Sequence, residues 1–364
     1  MVEWKRLGEI CEIKTGKLNA NAQVENGVYP FFTCDMKPSR IDKYAFDGEA
    51  ILISGNGNVG HVNYYIGKFN AYQRTYVLMN FKTQTGKYLY HCLNSSFKIY
   101  IENKLKKGSV PYITLPLLTD FPIPFFSISE QTRIVGILDT FMVSIENLKL
   151  QIAERRKQYE HYRDELLDLE GKDDNIVSFG DVCEMIKGDG VQKVDFVDEG
   201  IGCIHYGQIY THYGSFTDTT NKYVSKEVFD KAKKASKGDI IMTDTSENVE
   251  DICKSVAYLG EDDIAVSNHA LIIKHNQNPK FLSYSTLTRS FFTQKRKYVV
   301  GVKVSGIKPN DLAKIKIFLP SIEEQNRIVS ILDTFEASIA NLEAQLELRE
   351  KQYEYYRNQL LTFK

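Results

Sequence analysis

Residues 127–169 read SISEQTRIVGILDTFMVSIENLKLQIAERRKQYEHYRDELLDL, and residues 321–363 read SIEEQNRIVSILDTFEASIANLEAQLELREKQYEYYRNQLLTF. Laid on each other without a gap, at an offset of about 194, roughly 26 of 43 positions are identical. A second echo precedes each copy: Leu7-Gly8-Glu9-Ile10-Cys11-Glu12-Ile13 parallels Phe179-Gly180-Asp181-Val182-Cys183-Glu184-Met185. The chain therefore reads as two tandem units. The stretches between the matched ends, from Gly16 to Phe126 and from Gly188 to Pro320, share almost nothing that aligns by eye. The frame repeats while its content differs.

Each copy opens with Ser-x-x-Glu, Ser127 to Glu130 and Ser321 to Glu324, the pattern of a capping box in which serine takes an orphan amide and glutamate reaches back. From there apolar residues recur in alternating steps of four and three. In the first copy they are Ile134, Leu138, Phe141, Ile145, Leu148, Ile152, Tyr159, Tyr162 and Leu166. In the second they are Ile328, Leu332, Phe335, Ile339, Leu342, Leu346, Tyr353, Tyr356 and Leu360. A 3.5-residue period marks a narrow coiled-coil stripe. Neither copy holds glycine or proline beyond Gly136, so a continuous helix of about 40 residues, roughly 60 Å long, is predicted for each. One seam slot carries arginine in both copies, Arg155 and Arg349. Such a residue either fixes register at some loss of stability or turns its charge off the seam. Being so alike and a whole domain apart, the helices are expected to pair with each other in antiparallel fashion; pairing with another chain is the rival arrangement.

At 364 residues the chain has room for two or three domains with cores of their own. Its six cysteines, Cys11, Cys34, Cys92, Cys183, Cys203 and Cys253, form no CxxC pair and stand near no histidine cluster at metal spacing. That pattern points to a reducing cytoplasm and to no structural metal. No apolar run follows Met1 or approaches the length of a membrane span, so a soluble, unsecreted protein is expected. The formal net charge of −1 divides unevenly: about +5 over residues 1–126, −4 over 127–174, +1 over 175–320 and −3 over 321–364. Acidity sits on the repeated helices. The second variable stretch gathers lysines at Lys231, Lys233, Lys234 and Lys237, and again at Lys295, Arg296 and Lys297.

The variable stretches alternate apolar and polar residues in short runs, Ala50 to Ile53, His61 to Ile66 and Asp239 to Met242, separated by Gly, Asn and Asp turns. Helical patches are predicted at Lys87 to Lys104 and Ser225 to Ala235. The fold class is α+β: two mixed domains, 1–126 and 171–320, each followed by a long helix, 127–170 and 321–364, with a pseudo-two-fold tandem relation. Gly55-Asn56-Gly57-Asn58-Val59-Gly60 matches G-x-G-x-x-G, but a strand pattern succeeds it where a dinucleotide cradle needs a helix. It reads as a loop tip exposing Asn56, Asn58 and His61, or as a plain hairpin turn. Asn278-Pro279-Lys280-Phe281 approaches the Asn-Pro-Pro-Phe motif of adenine methyl transfer, yet lacks the second proline and a glycine-rich cofactor strand. No Walker A loop, HExxH, GxSxG or nuclease cluster is present. Catalysis by this chain alone is not expected.

Two variable domains, each followed by a helix opening S-I-x-E-Q-x-R-I-V-x-I-L-D, closely resemble the specificity subunit of type I restriction-modification enzymes, and the resemblance covers essentially the whole chain. Gly60-His61-Val62 with Phe69 to Thr75, and His205 to Thr211, look like target-recognition domain sequences of that family. The resemblance implies that each variable domain reads one half of a split target on double-stranded DNA. It also implies that the helices act as spacer and docking surface for two modification (methyltransferase) subunits. S-adenosylmethionine would sit on those partners, ATP and Mg on two restriction/translocase subunits where a full restriction system is present, and no cofactor on this chain. Dissimilar domains on a symmetric frame imply an asymmetric bipartite target, with half-sites about 10 bp apart if both domains face one side of the duplex. The setting implied is the bacterial or archaeal cytoplasm.

Phosphate contacts position a protein and base contacts specify. In the first domain Asn56, Asn58, His61, Gln73 and Arg74 are the candidates for bases, with Lys14, Lys17, Lys106, Lys107 and Ser109 for the backbone. In the second, His205, Tyr206, Gln208, Thr211, His212, Thr245 and Asn248 are the base candidates, and Lys187, Lys193, Lys295, Arg296 and Lys303 the phosphate candidates. Asn and Gln suit adenine and Arg suits guanine in the major groove. Two other readings remain open: a non-catalytic coiled-coil scaffold whose β-rich modules bind protein or glycan, and a specificity subunit of a methylation-only system.

Overall fold

The computed structural model describes residues 3–104, 111–301 and 305–361. They fall into two units, Met1–Leu150 with Glu343–Lys364, and Gln151–Leu342. The two repeats are single helices of 40 residues, Ile128–Leu167 and Ile322–Leu361, and each contributes one part to each unit. The expected mixed helix-and-sheet tandem is thus what folds.

Each helix starts as the Ser-x-x-Glu pattern requires, with one difference. Ser127 Oγ accepts from Glu130 N and Ser321 Oγ from Glu324 N, both at 3.3 Å. The glutamates do not reach back; each turns forward to a guanidinium three residues on, Arg133 at 2.9 and 2.7 Å and Arg327 at 2.7 and 2.6 Å. A bidentate charge-assisted pair outbids a single bond to a backbone amide. Only the serine half of the capping box forms.

Within each unit the helices run antiparallel along the 3.5-residue stripe. In the first, Ile134 and Leu138 are buried in one cluster with Leu361, Tyr353 and Leu360, and Phe141 stacks on Tyr356 with centroids 5.3 Å apart. In the second, Ile328 and Leu332 share a core with Leu167, Tyr159 and Leu166, and Tyr162 stacks on Phe335 at 5.4 Å. These two stacked pairs are one pair with the copies exchanged. Of the other seam residues Ile152 is buried, while Ile145, Leu148, Ile339, Leu342 and Leu346 are half-buried. The seam arginines are neither buried ions nor released to solvent: Arg349 lies over the Phe141 ring at 5.6 Å and Arg155 over Phe335 at 5.9 Å, both half-buried. A cation on an aromatic face keeps part of its hydration while filling the slot.

Just ahead of the echoed segment, each unit has a two-stranded base of its own. Glu3–Arg6 pairs with Pro122–Phe125 in the first unit, and Ile176–Ser178 with Lys316–Phe318 in the second. Each is followed by a one-turn helix, Leu7–Ile10 or Phe179–Val182. A side chain at Gly8 would stand 2.9 Å from Thr119 Cβ, and one at Gly180 2.6 Å from Ala313 Cβ, so glycine is what lets these turns approach their neighbours.

Above the base, the described strands of the first unit form a six-stranded sheet in the order Glu12–Thr15, Thr75–Met79, Phe46–Ser54, Val62–Ala71, Tyr29–Phe32, Ser39–Ile41. The second has two five-stranded sheets. One runs Cys183–Lys187, Ala270–His275, Ile240–Thr243, Ser255–Tyr258, Phe216–Thr217; the other Phe196–Val197, Lys222–Val224, Ile201–Ile204, Ile264–Val266, Lys233–Ala235. The predicted patch at Lys87 to Lys104 is helical from Gly86 to Lys104, with a π segment at Leu93–Phe97. The patch at Ser225 to Ala235 is helical only over Lys226–Lys231, because Lys233–Ala235 pairs with Ile264–Val266.

One buried device, used twice, fixes sheet to long helix. Gln131 is fully enclosed; its amide donates to Phe126 O at 2.9 Å and Thr83 O at 3.3 Å, and its oxygen accepts from Thr85 N at 3.0 Å. Gln325, equally enclosed, donates to Pro320 O and Gln277 Oε1, both at 2.9 Å, and accepts from Asn278 N at 3.1 Å. Thr85 and Asn278 cap the helices Gly86–Cys92 and Pro279–Thr286. Two residues beyond each cap a lysine reaches an aspartate of the long helix, Lys87 to Asp139 at 3.2 Å and Lys280 to Asp333 at 2.8 Å. Four residues further, His91 Nε2 lies 2.9 Å from Asp139 and Tyr284 OH donates to Asp333 at 2.7 Å. The near-methyltransferase motif at Asn278 is therefore a helix cap in this docking device.

Candidate nucleic-acid interface

The sheet ends opposite the base are built by one set of backbone hydrogen bonds, made once in each unit. Gly16 N donates to Thr75 O at 3.4 Å and Gly188 N to Ala270 O at 2.8 Å. Gly55 N donates to Arg74 O at 2.9 Å, as Asp244 N does to His269 O at 3.3 Å. Ile113 N donates to Gly55 O at 2.8 Å, and Ile307 N to Asp244 O at 3.0 Å. Tyr72 N donates to Phe32 O at 2.9 Å, and Ser267 N to Ile204 O at 3.1 Å. These bonds gather the loop segments 16–19, 55–61 and 72–74 beside Phe32 and Ile113 in the first unit, and 188–190, 244–254 and 267–269 beside Ile204 and Ile307 in the second.

In the first unit this brings the base candidates together. The segment 55–61 joins the antiparallel strands Phe46–Ser54 and Val62–Ala71, so the glycine-rich run is a hairpin tip, with Gly57 and Gly60 at φ +63° and +80° where a side chain would be strained. Asn58 is exposed and its amide donates to Cys34 O at 2.8 Å. Asn56 is half-buried and accepts from Cys34 Sγ at 2.9 Å, which engages part of the side chain expected to be free. His61 is half-buried, with an enclosed Nε2 that has no hydrogen-bond partner among the described residues. Asn56, Gln73, Arg74 and Tyr112 line one recess of about 480 Å³. Gln73 and Arg74 are exposed; the Gln73 amide donates to Asn19 Oδ1 at 2.8 Å. Lys14 and Lys17 are exposed on the neighbouring strand and its end, with Lys14 3.0 Å from Glu12. Lys106, Lys107 and Ser109 lie outside the described residues.

In the second unit several candidates prove to be structural. His205 is buried as the cap of the helix Tyr206–Thr211: its Nδ1 accepts from Gly207 N at 3.1 Å. Gln208 is buried too; its oxygen accepts from His205 N at 2.8 Å and its amide donates to Asn221 Oδ1. Both serve the fold, since a side chain so enclosed and paired offers no edge to a base. Burial, with Lys193 and His269 nearby, holds the His205 imidazole below its ordinary range. Asn248 is exposed but closes its own loop, donating to Asp251 Oδ2 and accepting from Asp251 N, each at 2.8 Å. Thr211 and His212 are exposed at the helix end, Tyr206 and Thr245 are half-buried, and the Thr245 carbonyl accepts from Tyr210 OH.

Lys295 is the clearest correction among the phosphate candidates. Its side chain is buried and the ammonium donates to the carbonyls of Glu250, at 2.9 Å, and Ile252. It fastens the 244–254 loop from beneath, and burial lowers its basicity. Nothing in a run of lysines reveals which one faces inward. Lys187 and Lys193 are exposed, the former 3.8 Å from Asp244; Arg296 is exposed with its guanidinium 5.8 Å from the Phe292 ring; Lys303 lies outside the described residues. Sequence reasoning missed Asn268 and His269, which stand where Gln73 and Arg74 stand. The thiols of Cys11, Cys92, Cys183, Cys203 and Cys253 are pushed up to about 12, chiefly by burial. Among the described residues no group of three or more His, Cys, Asp or Glu could hold a metal, and no helix is long and apolar enough to cross a membrane.

The description "Type I restriction modification DNA specificity domain" belongs to a family model that matches residues 1–155 and again 172–349, one match over each half of the tandem. The chain belongs to this family. It is 40% identical over 168 residues to the type I restriction enzyme EcoDI specificity subunit of Escherichia coli, a match that takes in 46% of this chain and 37% of that subunit. With the EcoR124I/EcoR124II specificity subunit of Escherichia coli it shares 28% identity over 295 residues, 76% of this chain and 70% of that one. The crystal structure of a type I restriction-modification system S subunit from M. genitalium has the same fold, with a TM-score of 0.63 and 16% identity over 100% of this chain and 97% of that one.

Proposed function

We propose that this chain is the DNA specificity subunit of a type I restriction-modification system, a non-catalytic subunit in which each variable domain reads one half of an asymmetric, bipartite target on double-stranded DNA. The observation that carries the reading is the loop cluster made twice by the same backbone hydrogen bonds but dressed with different side chains: Asn58, Gln73 and Arg74 in one unit, Asn248 and His269 in the other. One frame holding two unlike surfaces suits two unlike half-sites. These side chains are exposed, which favours a ligand-facing role over the scaffold reading.

The identical exposed parts of the repeat, such as the Glu130–Arg133 and Glu324–Arg327 pairs, suit two identical partners, the modification subunits. S-adenosylmethionine belongs on those partners, and ATP with Mg on two restriction/translocase subunits where they accompany the complex; the helices set the spacer between the half-sites. The compartment is the bacterial or archaeal cytoplasm. The test is co-expression with the neighbouring modification subunit and mapping of methylated adenines across the host genome by long-read sequencing. A single motif of two short blocks around an unspecified spacer is expected, and exchange of residues 1–126 should change one block only. A stable complex that leaves no new methylation would sink the proposal, as would saturable binding of S-adenosylmethionine by the isolated chain.

A further inference from the structure

Because the same hydrogen bonds build both sheet ends, residues can be matched across the two units without sequence similarity. Leu18 O accepts from Gln73 N, and the Gln73 side chain bonds Asn19; in the second unit Asn268 Oδ1 accepts from Gly190 N at 3.2 Å. The position before the reading tip is thus a tie to the segment 16–19 or 188–190 in both cases. The next position is different. Arg74 and His269 each spend their carbonyl on the neighbouring loop, through Gly55 N and Asp244 N, and leave the side chain exposed. Among the described residues the Arg74 guanidinium has no hydrogen bond or ion pair. Among the described residues the His269 side chain makes no hydrogen bond; its ring meets Tyr206 edge-on with centroids 5.3 Å apart, and it lies near His205. Tyr206 and Cys34 are themselves matched, each two residues beyond the strand residue, Ile204 or Phe32, whose carbonyl takes a bond from the reading segment. Cys34 Sγ donates to Arg74 O at 3.7 Å.

His269 also adopts φ +64°, a left-handed conformation that glycine would take without strain. An exposed imidazole held there makes one edge-on ring contact and no side-chain hydrogen bond among the described residues, and strain of that kind clusters where a side chain has work to do.

We propose that Arg74 and His269 occupy one equivalent reading position, and that the side chain there selects a base in each half of the DNA target. The inference rests on the specificity-subunit reading above and adds His269 as a determinant of the second half-site. Arginine presents a two-pronged donor to guanine O6 and N7; imidazole presents a single donor or acceptor, so the first block should contain a guanine at this position and the second a more permissive purine contact.

The test uses the full chain co-expressed with its modification subunit, with genome-wide methylation mapped for the wild type and for Arg74→Ala, His269→Gly and His269→Arg. His269→Gly removes the ring and the strain together, so the melting temperature should stay level or rise while discrimination at one base of the second block falls about tenfold or more, the loss of one base-edge contact. His269→Arg should move that base toward guanine. Arg74→Ala should relax one base of the first block and leave the second untouched. A wild-type bipartite motif that all three variants reproduce unchanged overturns the inference while leaving the specificity role intact. Absence of any bipartite motif with the wild type fails the underlying reading instead, and a lowered melting temperature in His269→Gly would reassign His269 to the fold.

Discussion

Replacing Gln131 by leucine keeps nearly the same volume but deletes three hydrogen bonds at a site closed to water. The backbone groups that lose this partner are Thr85 N–H, Thr83 C=O and Phe126 C=O. Each hydrogen bond lost costs on the order of 1 kcal/mol, so about 3 kcal/mol is lost, offset by roughly 1 kcal/mol from the added apolar surface. A net loss of about 2 kcal/mol raises the population of locally open states roughly thirtyfold. Hydrogen exchange read peptide by peptide on the full chain is the appropriate measurement, because it assigns the loss to a place. Amides of Gly86–Cys92 and of the first turns of Ile128–Leu167 should exchange faster by about that factor, and those of Pro279–Thr286 should not. Gln325→Leu should give the mirror image. If neither variant changes exchange by more than about twofold, the buried amides are not what holds the sheets to the helices, and the docking argument is wrong.

Three further outcomes are expected. Burial holds His91, His205 and His275 below the ordinary histidine value of about 6.5, so the unfolded chain takes up protons that the folded chain refuses. This part of the stability is complete above about pH 6.5 and is lost as pH falls through it; melting temperatures measured from pH 7.5 to 5.5 should decline, and less steeply in His275→Gln. An added Cβ at Gly16 would lie 1.8 Å from Ala71 O, so Gly16→Ala should cost about 3 kcal/mol or more, whereas Gly136→Ala, in open space on a helix, should raise stability by about 0.5–1 kcal/mol; thermal melts of the pair check both signs. With a net charge of −1, the isolated chain should bind DNA weakly, with a shallower slope of log affinity against log salt than the assembled complex; fluorescence anisotropy across a salt series measures it.

The parts of this fold legible in the sequence are those governed by local rules. A 3.5-residue stripe and a serine cap are enough to read two helices from start to seam, because helix period and end chemistry act within a few residues. The capping box is only half right, since its glutamate meets a competing arginine one turn on. The hairpin at Gly55–Gly60 is legible from the strand pattern of His61 to Ile66, which rules out the helix that a dinucleotide cradle needs. His205, Gln208 and Lys295 mislead for a common reason: their residue types suit DNA, and only tertiary packing turns them inward. Gln131 and Gln325 are visible as repeated letters in the motif, but their role depends on acceptors supplied from 48 residues away, Thr83 O and Gln277 Oε1. His269 carries no signal at all. It emerges only when the backbone bonds of one unit are matched to those of the other.

The docking device has a consequence for how such a chain can change. The polar contacts that both long helices make alike with the domain resting on them include a capping residue with a free amide, a lysine two places on and a donor four places beyond that, met as Thr85-Lys87-His91 in one case and Asn278-Lys280-Tyr284 in the other. The helix offers the same glutamine and aspartate to both. A domain of other descent that presents this three-point plug can rest on the same helix, so exchange at the helix boundaries replaces one variable domain in one event without remaking the frame.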